Sequence, residues 1–81
     1  MNRLTSGQIR AARALLRWTA EDLAKTSMVG IATIRRAELR DIETGLTAPN
    51  DLALRRAFEA AGIEFTADDG TAGVRLRYRG Q

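Results

Sequence analysis

Three arginines and a threonine between residues 33 and 40 are the side chains of this sequence best suited to bind an anion or a base edge. A guanidinium donates paired hydrogen bonds to a phosphate or to a guanine, and threonine offers a hydroxyl and a methyl group. We expect Arg36 to contact a base together with Thr33. Arg35 and Arg40 are placed differently around the helix, and we expect them to contact phosphates.

The first residues of the same helix donate no side-chain hydrogen bond to a base. Gly30, Ile31 and Ala32 nevertheless suit DNA in other ways. Apolar groups contact the thymine methyl in the major groove, and glycine lets the backbone of a helix N-terminus approach a phosphate. The sequence therefore predicts a half-site with thymines and a guanine. The alternative interpretation is a small helical core whose arginines are only solvated.

The composition argues against an enzyme. The 81 residues include no cysteine and no histidine, so the usual thiol nucleophile, the commonest general base and the commonest metal ligand are missing. We expect one domain with no catalytic residue, no metal site and no cofactor. Asp68 and Asp69 are interpreted as part of a turn, because no further ligand lies at a suitable spacing.

Neither a membrane span nor a signal peptide is expected. No apolar run approaches the roughly 18 residues that a span requires, and residues 1–10 lack an apolar signal-peptide core, so we expect a cytoplasmic protein.

The charge is distributed unevenly along the sequence. Residues 1–40 hold eight basic and three acidic side chains, a net charge of +5, whereas residues 41–81 hold five basic and seven acidic side chains, a net charge of −2. A basic half of this kind suits an anionic partner.

Two capping boxes predict where the first two helices begin. Thr5 is followed at the third position by Gln8, and Thr19 is followed in the same way by Asp22. Apolar residues recur at helical spacing behind the first box. The residues expected on this buried face are Ile9, Ala12, Leu15 and Leu16.

A stripe of arginines runs along the first helix at spacings of three and four residues. It consists of Arg10, Arg13 and Arg17. We treat them as candidate phosphate contacts at the rim of a DNA-binding surface, and a merely solvated face is the alternative. Phosphate contacts release counterions, so they predict an affinity that falls steeply with salt.

A fourth helix and a β-hairpin complete the predicted fold. The helix covers roughly residues 48–61, with Leu52 and Leu54 on its apolar face, and Gly62 ends it. The tail then changes to the two-residue period of a strand. We expect a mainly α fold in which residues 1–62 form the DNA-binding domain and residues 63–81 the hairpin.

Residues 19–38 have the spacing of a helix-turn-helix, in which a short capped helix, a tight turn and a second helix follow one another. Leu23 and Ala24 are expected to face inward from the first helix of the pair. Val29 is expected to fill the turn, and Ile34 to anchor the second helix. Such packing leaves one face of the second helix free to enter the major groove.

The stretch RAARALLRWTAEDLAKTSMVGIATIRRAE resembles the XRE/Cro/C1-type helix-turn-helix family. It is most similar to short bacterial regulators with ARALLGWSQEDLA followed by VSRATIRRAE. The resemblance covers about residues 7–62, and the tail with IEF and GVRLR is similar to that of the same regulators. It implies a four-helix, lambda-repressor-like helix-turn-helix domain, usually dimeric, that acts as a repressor or autoregulator.

The sequence departs from the family pattern on the surface that would meet DNA. Ala20 stands where relatives usually carry glutamine, and polar residues are common at the positions of Gly30 and Ile31. We still place Thr19 and Ala20 among the DNA contacts. Met28 stands where glycine is usual, and because a left-handed conformation there would cost about 1–2 kcal/mol, we expect the turn to differ locally.

The hairpin is predicted to join two chains into a homodimer. Val74, Leu76 and Tyr78 share one face of the last strand, and an isolated two-stranded hairpin is marginal in water. Pairing with the same strand of a second chain would satisfy the open edge. The outward arginines, Arg75, Arg77 and Arg79, would then need compensation by Glu64, Asp68 or Asp69, or by nearby DNA. The rival arrangement packs the hairpin on the fourth helix of its own chain.

These observations favour a sequence-specific transcriptional regulator that reads double-stranded DNA with its third helix. Two alternatives remain open. The first is a protein-interaction module, such as an antitoxin or an adaptor, and the second is a sequence-neutral DNA binder of the nucleoid type. No effector pocket for a small molecule is evident in the sequence.

Overall fold

Four helices are followed by an antiparallel two-stranded hairpin. The computed structural model describes residues 3–68 and 70–78, so Asp69 and Arg79 lie outside the described residues. The elements are α1 (Ser6–Leu16), α2 (Ala20–Ser27), α3 (Ile31–Leu39), α4 (Ala48–Ala60), β1 (Ile63–Thr66) and β2 (Gly73–Leu76). The expected mainly helical fold with a C-terminal hairpin is confirmed.

Both predicted capping boxes are present. At the start of α1, the Gln8 N–H donates to Thr5 Oγ1 (3.1 Å) and the Thr5 N–H donates to Gln8 Oε1 (2.9 Å). At the start of α2, the Asp22 N–H donates to Thr19 Oγ1 (3.0 Å) and the Thr19 N–H donates to Asp22 Oδ2 (2.9 Å). The hydrogen bond from the Thr19 backbone is the main cause that lowers the pKa of Asp22. Each box satisfies donors that a first helical turn leaves unpaired.

The core lies where the helices and the hairpin meet. Its fully buried side chains include Leu4, Ile9, Leu23, Ile34, Leu54, Phe58 and Ile63. Phe58 of α4 stacks on Trp18, with 5.8 Å between ring centroids, and meets Phe65 of β1 edge to face, also at 5.8 Å. These aromatic contacts fix the α1–α2 connection and β1 against α4.

Leu15 and Leu52 are exceptions to the predicted apolar faces, because they are 42% and 36% exposed. Successive helical residues are about 100° apart, so Leu15 lies well away from its neighbour Leu16, which packs against the core. Leu52 is two positions from the fully buried Leu54, about 200° around α4. The two leucines of each pair therefore cannot face the core equally, and the prediction that both do is wrong.

Buried polar side chains fasten the N-terminal segment to the rest of the fold. Asp51, at the start of α4, is 5% exposed and its Oδ1 accepts the Leu4 N–H at 3.0 Å. Ser6 is fully buried, and its hydroxyl donates to the Ala37 carbonyl oxygen of α3 at 2.6 Å. A buried polar group is tolerated when it is hydrogen-bonded in this way, so these contacts are specific tethers.

Met28 adopts the left-handed conformation, with φ 63°, although we expected the turn to change in order to avoid it. Its N–H donates to the Ala24 carbonyl oxygen at 2.9 Å and closes α2. Its side chain is 88% exposed and meets no packing constraint, while the next residue, Val29, is 5% exposed. Burial of Val29 in the turn thus outweighs the modest backbone cost at Met28.

Gly62 follows the end of α4, close to the predicted position. Its φ of 103° lies in the region that favours glycine. A Cβ at this position would lie 2.8 Å from the Arg77 carbonyl oxygen, and the Arg77 N–H donates to the Gly62 carbonyl oxygen at 2.8 Å. The entry to β1 therefore needs a residue without a side chain.

The hairpin packs on its own chain. β2 lies against α1, and β1 lies against α4. In the strand register, Ile63 pairs with Leu76 and Phe65 pairs with Val74, so these four side chains share the face toward the helices. The Gln8 amide of α1 donates to the carbonyl oxygens of Thr66 (3.0 Å) and Gly73 (2.9 Å). The same side chain that caps α1 therefore also holds the hairpin where its two strands join the connecting loop.

Candidate nucleic-acid interface

Three residues, 28–30, connect α2 to α3. Leu23 of α2 and Ile34 of α3 are fully buried, and Val29 fills the connection between them, as the sequence predicted. Ala24 packs at the margin of the core, where a small side chain lets the two helices approach. One face of each helix is therefore committed to the core, and the opposite face of α3 is left to solvent.

The outward face of α3 carries Ala32, Thr33, Arg35 and Arg36, and Leu39 continues it at the end of the helix. Thr33 is half-buried and the other four are exposed. Arg36 Nη2 lies 3.4 Å from Thr33 Oγ1, so the two residues predicted to read bases are neighbours. Gly30 caps this helix without a side chain, which leaves the first N–H groups of α3 open to an acceptor. The face combines a methyl, a hydroxyl and two guanidinium groups within two turns.

The only acid of α3, Glu38, points away from the outward face. Its side chain is 11% exposed and forms a two-point ion pair with Arg13 of α1, with Nε–Oε2 and Nη2–Oε1 distances of 2.7 Å each. Arg13 Nη1 also donates to the Trp18 carbonyl oxygen at 2.9 Å. The hydrogen bond to Glu38 raises the pKa of Arg13, so the guanidinium stays charged and α1 is tied to α3.

The arginine stripe of α1 therefore divides into three environments. Arg13 is satisfied within the chain, and a phosphate contact by it would require release from Glu38. Arg10 Nη1 donates to the Glu38 carbonyl oxygen near the end of α3. Arg17 is exposed and follows α1 in the left-handed conformation, with φ 58°. Arg10 and Arg17 have the more accessible guanidinium groups for a phosphate.

Arg35 is paired with an acid that the sequence did not single out. Its Nη2 lies 3.2 Å from Oε2 of Glu21 in α2, and the two side chains are 61% and 59% exposed. An ion pair this exposed is weak and is readily exchanged for a stronger anion. Glu21 lies in the first turn of α2, and no spacing in the sequence indicates its contact with α3.

Arg40 lies beyond the outward face of α3. It follows the helix as its C-terminal cap, and its Nε donates to the Glu43 carbonyl oxygen at 3.0 Å. Its guanidinium covers Gly45, whose φ is 75° and where a Cβ would lie 3.2 Å from Arg40 Nη1. The structure thus separates Arg40 from Thr33 and Arg36.

The predicted contacts at the start of α2 are accessible to different degrees. Thr19 is exposed, and its hydroxyl oxygen already accepts the Asp22 N–H, which leaves its own proton free for a further acceptor. Ala20 is half-buried and packs against the core. Ile31, at the start of α3, is also half-buried. Of these three, only Thr19 has a polar side chain, and it is exposed.

The hairpin residues predicted to form a dimer are placed differently from one another. Val74 and Leu76 pack against the core of their own chain, which is the alternative to a dimer formed through the hairpin. A dimer formed through them stays a prediction that would require both side chains to leave that core. Tyr78 lies beyond β2 and is 73% exposed.

The outer face of the hairpin carries two arginines that share one carboxylate. Glu64 accepts from Arg75 Nε at 2.6 Å and from Arg77 Nε at 2.7 Å, and Arg77 Nη2 also contacts it. These hydrogen bonds, that from Arg77 first, lower the pKa of Glu64. The compensation of the hairpin arginines by Glu64, one of the acids considered from the sequence, is therefore present within a single chain.

Neither a scan against protein-family models nor a search of curated proteins returned a match to this chain. Over residues 3–68 and 70–78, every helix is too short or too polar to cross a bilayer. The same residues contain no cluster of three or more histidine, cysteine, aspartate or glutamate side chains placed to hold a metal ion.

Proposed function

We propose that this chain is a sequence-specific, DNA-binding transcriptional regulator with a lambda-repressor-like helix-turn-helix fold. It would act in the cytoplasm as a repressor or autoregulator related to the XRE/Cro/C1 family. One observation carries the proposal: α3 turns Glu38 inward onto Arg13 and leaves Thr33, Arg35 and Arg36 outward. A helix whose acid is paired with Arg13 on the side toward α1 and whose arginines are exposed suits the anionic major groove.

In this proposal α3 is the reading helix and its N-terminal half enters the groove. Ala32 and the Thr33 methyl contact thymine methyl groups, and Arg36 donates two hydrogen bonds to O6 and N7 of a guanine. Arg35 leaves Glu21 and contacts a phosphate, because the exposed ion pair is weak and a guanidinium donates two parallel, charge-assisted hydrogen bonds to a phosphate. The Thr19 hydroxyl contacts a phosphate beside the start of α2, where the helix dipole also favours an anion.

Competition binding tests the proposal and separates it from its alternatives. A DNA fragment selected by the protein from a random pool is labelled and competed with unrelated duplex at a fixed, stated salt concentration. We expect a preference of about a thousandfold or more for the selected site. Equal competition by unrelated DNA would instead support a sequence-neutral binder, and no binding to any duplex would support a protein-interaction module.

The salt dependence of binding tests the rim of α1. Each lost phosphate contact should reduce the slope of log affinity against log salt by about 0.9. We expect the double variant Arg10→Gln, Arg17→Gln to reduce this slope. Lys25→Gln, which removes one charge from an exposed position on α2, is the control for net charge alone. A slope that changes only in proportion to net charge would show that Arg10 and Arg17 are solvated.

A further inference from the structure

Two large apolar side chains are exposed where α3 ends. Leu39 is 85% exposed and Ile42 is 67% exposed, whereas the residues of the core cluster are buried. Together with the charged residues between and beside them, they form what we call the 39–43 patch. An exposed apolar patch with a polar border is typical of a protein–protein contact.

The backbone under the patch is held in place. The Ser6 N–H donates to the Ile42 carbonyl oxygen at 2.9 Å, and Thr5 and Glu43 form an isolated antiparallel bridge. Arg3 Nη1 donates to the Leu46 carbonyl oxygen at 2.7 Å, a little further along the same loop. Ile42 is therefore presented on a fixed loop, and a partner that covers it would order little additional chain.

Grooves lie on both sides of Ile42. One, of about 500 Å³, runs between residues 3–5 and 42–46. The other, of about 420 Å³, is bordered by Ile42, by Gln8 of α1, and by Ala67 and Thr71 of the hairpin connection. The patch therefore combines projecting apolar side chains with adjoining grooves that can receive such side chains.

The charges around the patch have both signs. Arg3 and Arg40 are exposed beside Asp41 and Glu43, which are also exposed. A two-fold symmetric contact places the same surface against itself, so it requires projections beside recesses and cations beside anions on one chain. A surface of one charge sign would repel its own copy, whereas this one carries two cations beside two anions.

We propose that a second copy of this chain docks on the 39–43 patch, with Leu39 and Ile42 of each copy seated in the grooves of the other. The patch is smaller than the roughly 20–30 residues per partner of a stable complex, so the contact is a weak one in solution. If the proposed DNA-binding function holds, this arrangement sets the ends of the two α3 helices beside the two-fold axis. The hairpin then remains on its own core.

Single-cysteine variants test this contact, because the natural sequence has no cysteine. Leu39→Cys, Ile42→Cys, Met28→Cys and Tyr78→Cys are oxidised separately at high protein concentration without DNA, and the disulfide-linked dimer is quantified on non-reducing gels. Met28→Cys is the control for exposure, since Met28 is 88% exposed in the α2–α3 connection. We expect cysteine at position 39 or 42 to cross-link about tenfold faster than at 28, because docking raises the effective thiol concentration.

Equal rates at positions 28, 39 and 42 would overturn the proposal, and fastest cross-linking at position 78 would assign the contact to the hairpin. Sedimentation gives a second measurement with no cysteine. Ile42→Glu should reduce self-association while circular dichroism stays unchanged, and Met28→Gln should leave the association as it is. Both measurements omit DNA, so their failure is distinguishable from a failure of DNA binding.

Discussion

The outward face of α3 and the outer face of the hairpin each carry two arginines, but the two faces differ in how these arginines are paired with acids. On the hairpin, Glu64 binds both Arg75 and Arg77. On α3, Glu38 pairs with Arg13 of α1. Of the outward arginines, only Arg35 contacts an acid of the described residues, the exposed Glu21 of α2. Among the described residues Arg36 contacts only the neutral hydroxyl of Thr33.

The difference teaches that the position of the acids, rather than the density of arginines, decides which guanidinium groups of the described residues are left without a carboxylate partner. Cross-strand register sets Glu64 opposite Arg75 on the same face of the hairpin, so neutralisation follows from strand geometry. Glu38 lies two positions from Arg36, about 200° around α3, so helix geometry separates them. With two arginines on each surface, both hairpin guanidinium groups contact a carboxylate, whereas on α3 only Arg35 does within residues 3–68 and 70–78, through the longer contact with Glu21.

The largest expected effect comes from replacing Glu38, the acid of α3 that pairs with Arg13. Glu38→Gln leaves the charged Arg13 partly buried without its partner, and we expect a loss of about 2–3 kcal/mol in the free energy of unfolding, less than for a fully buried pair. Urea denaturation with an unchanged m-value would measure it.

The matched control is Glu21→Gln, which breaks the exposed pair with Arg35 and should cost no more than about 1 kcal/mol. Equal losses in the two variants would contradict a structural role for Glu38.

A second prediction compares one arginine from each face. Arg36→Ala should weaken binding to the selected DNA site by about 1–3 kcal/mol and relax the preference at one base pair, because a guanine loses its two donors. Arg77→Ala removes the same charge from the hairpin and should leave the base preference unchanged. Fluorescence anisotropy with single-base variants of the site measures both. If Arg77→Ala relaxed the preference as much, the hairpin would belong to the reading surface.

A third prediction converts the hairpin into a surface like α3. Glu64→Gln removes the carboxylate that holds Arg75 and Arg77, so their guanidinium groups become available to phosphates. We expect stronger binding to unrelated DNA, with a salt slope steeper by up to about 0.9 for each new phosphate contact. Glu59→Gln is the matched control, because it removes one negative charge from α4 near Arg55. Identical salt slopes in the two variants would show that the stronger binding comes from the change in net charge alone, and not from new phosphate contacts by Arg75 and Arg77.

The parts of this structure that the sequence predicted depend on local spacing. Thr5 with Gln8 and Thr19 with Asp22 are three residues apart, and the chain that forms a helix brings them together without help from the rest of the fold. The alternation of the last strand was likewise sufficient to place Val74 and Leu76 on one face.

The parts that were not predicted depend on contacts between distant segments. Gln8 was expected to cap α1, but its amide also holds the hairpin at Thr66 and Gly73, contacts that no local pattern indicates. The inward orientation of Glu38 depends in the same way on Arg13, which lies 25 positions earlier. The exposure of Arg35 and Arg36 was therefore predictable from helical spacing, whereas the pairing of Glu38 with Arg13 was not.

The smallest effect expected is the acid titration of the hairpin, since Glu64 pairs with its arginines at the surface and exposed pairs contribute little. The hydrogen bonds from Arg77 and Arg75 lower the pKa of Glu64 below its ordinary value of about 4.5. A carboxyl whose pKa is lower in the folded than in the unfolded chain stabilises the fold above the ordinary value, and that contribution is lost as the pH falls through the lower, folded pKa. Carbon-detected NMR of the Glu64 carboxyl should therefore show a midpoint below 4.5 that rises toward it in Arg77→Ala and stays unchanged in Arg36→Ala. A midpoint that does not respond to Arg77→Ala would mean that the hairpin arginines are as free as those of α3, and the contrast between the two faces would be lost.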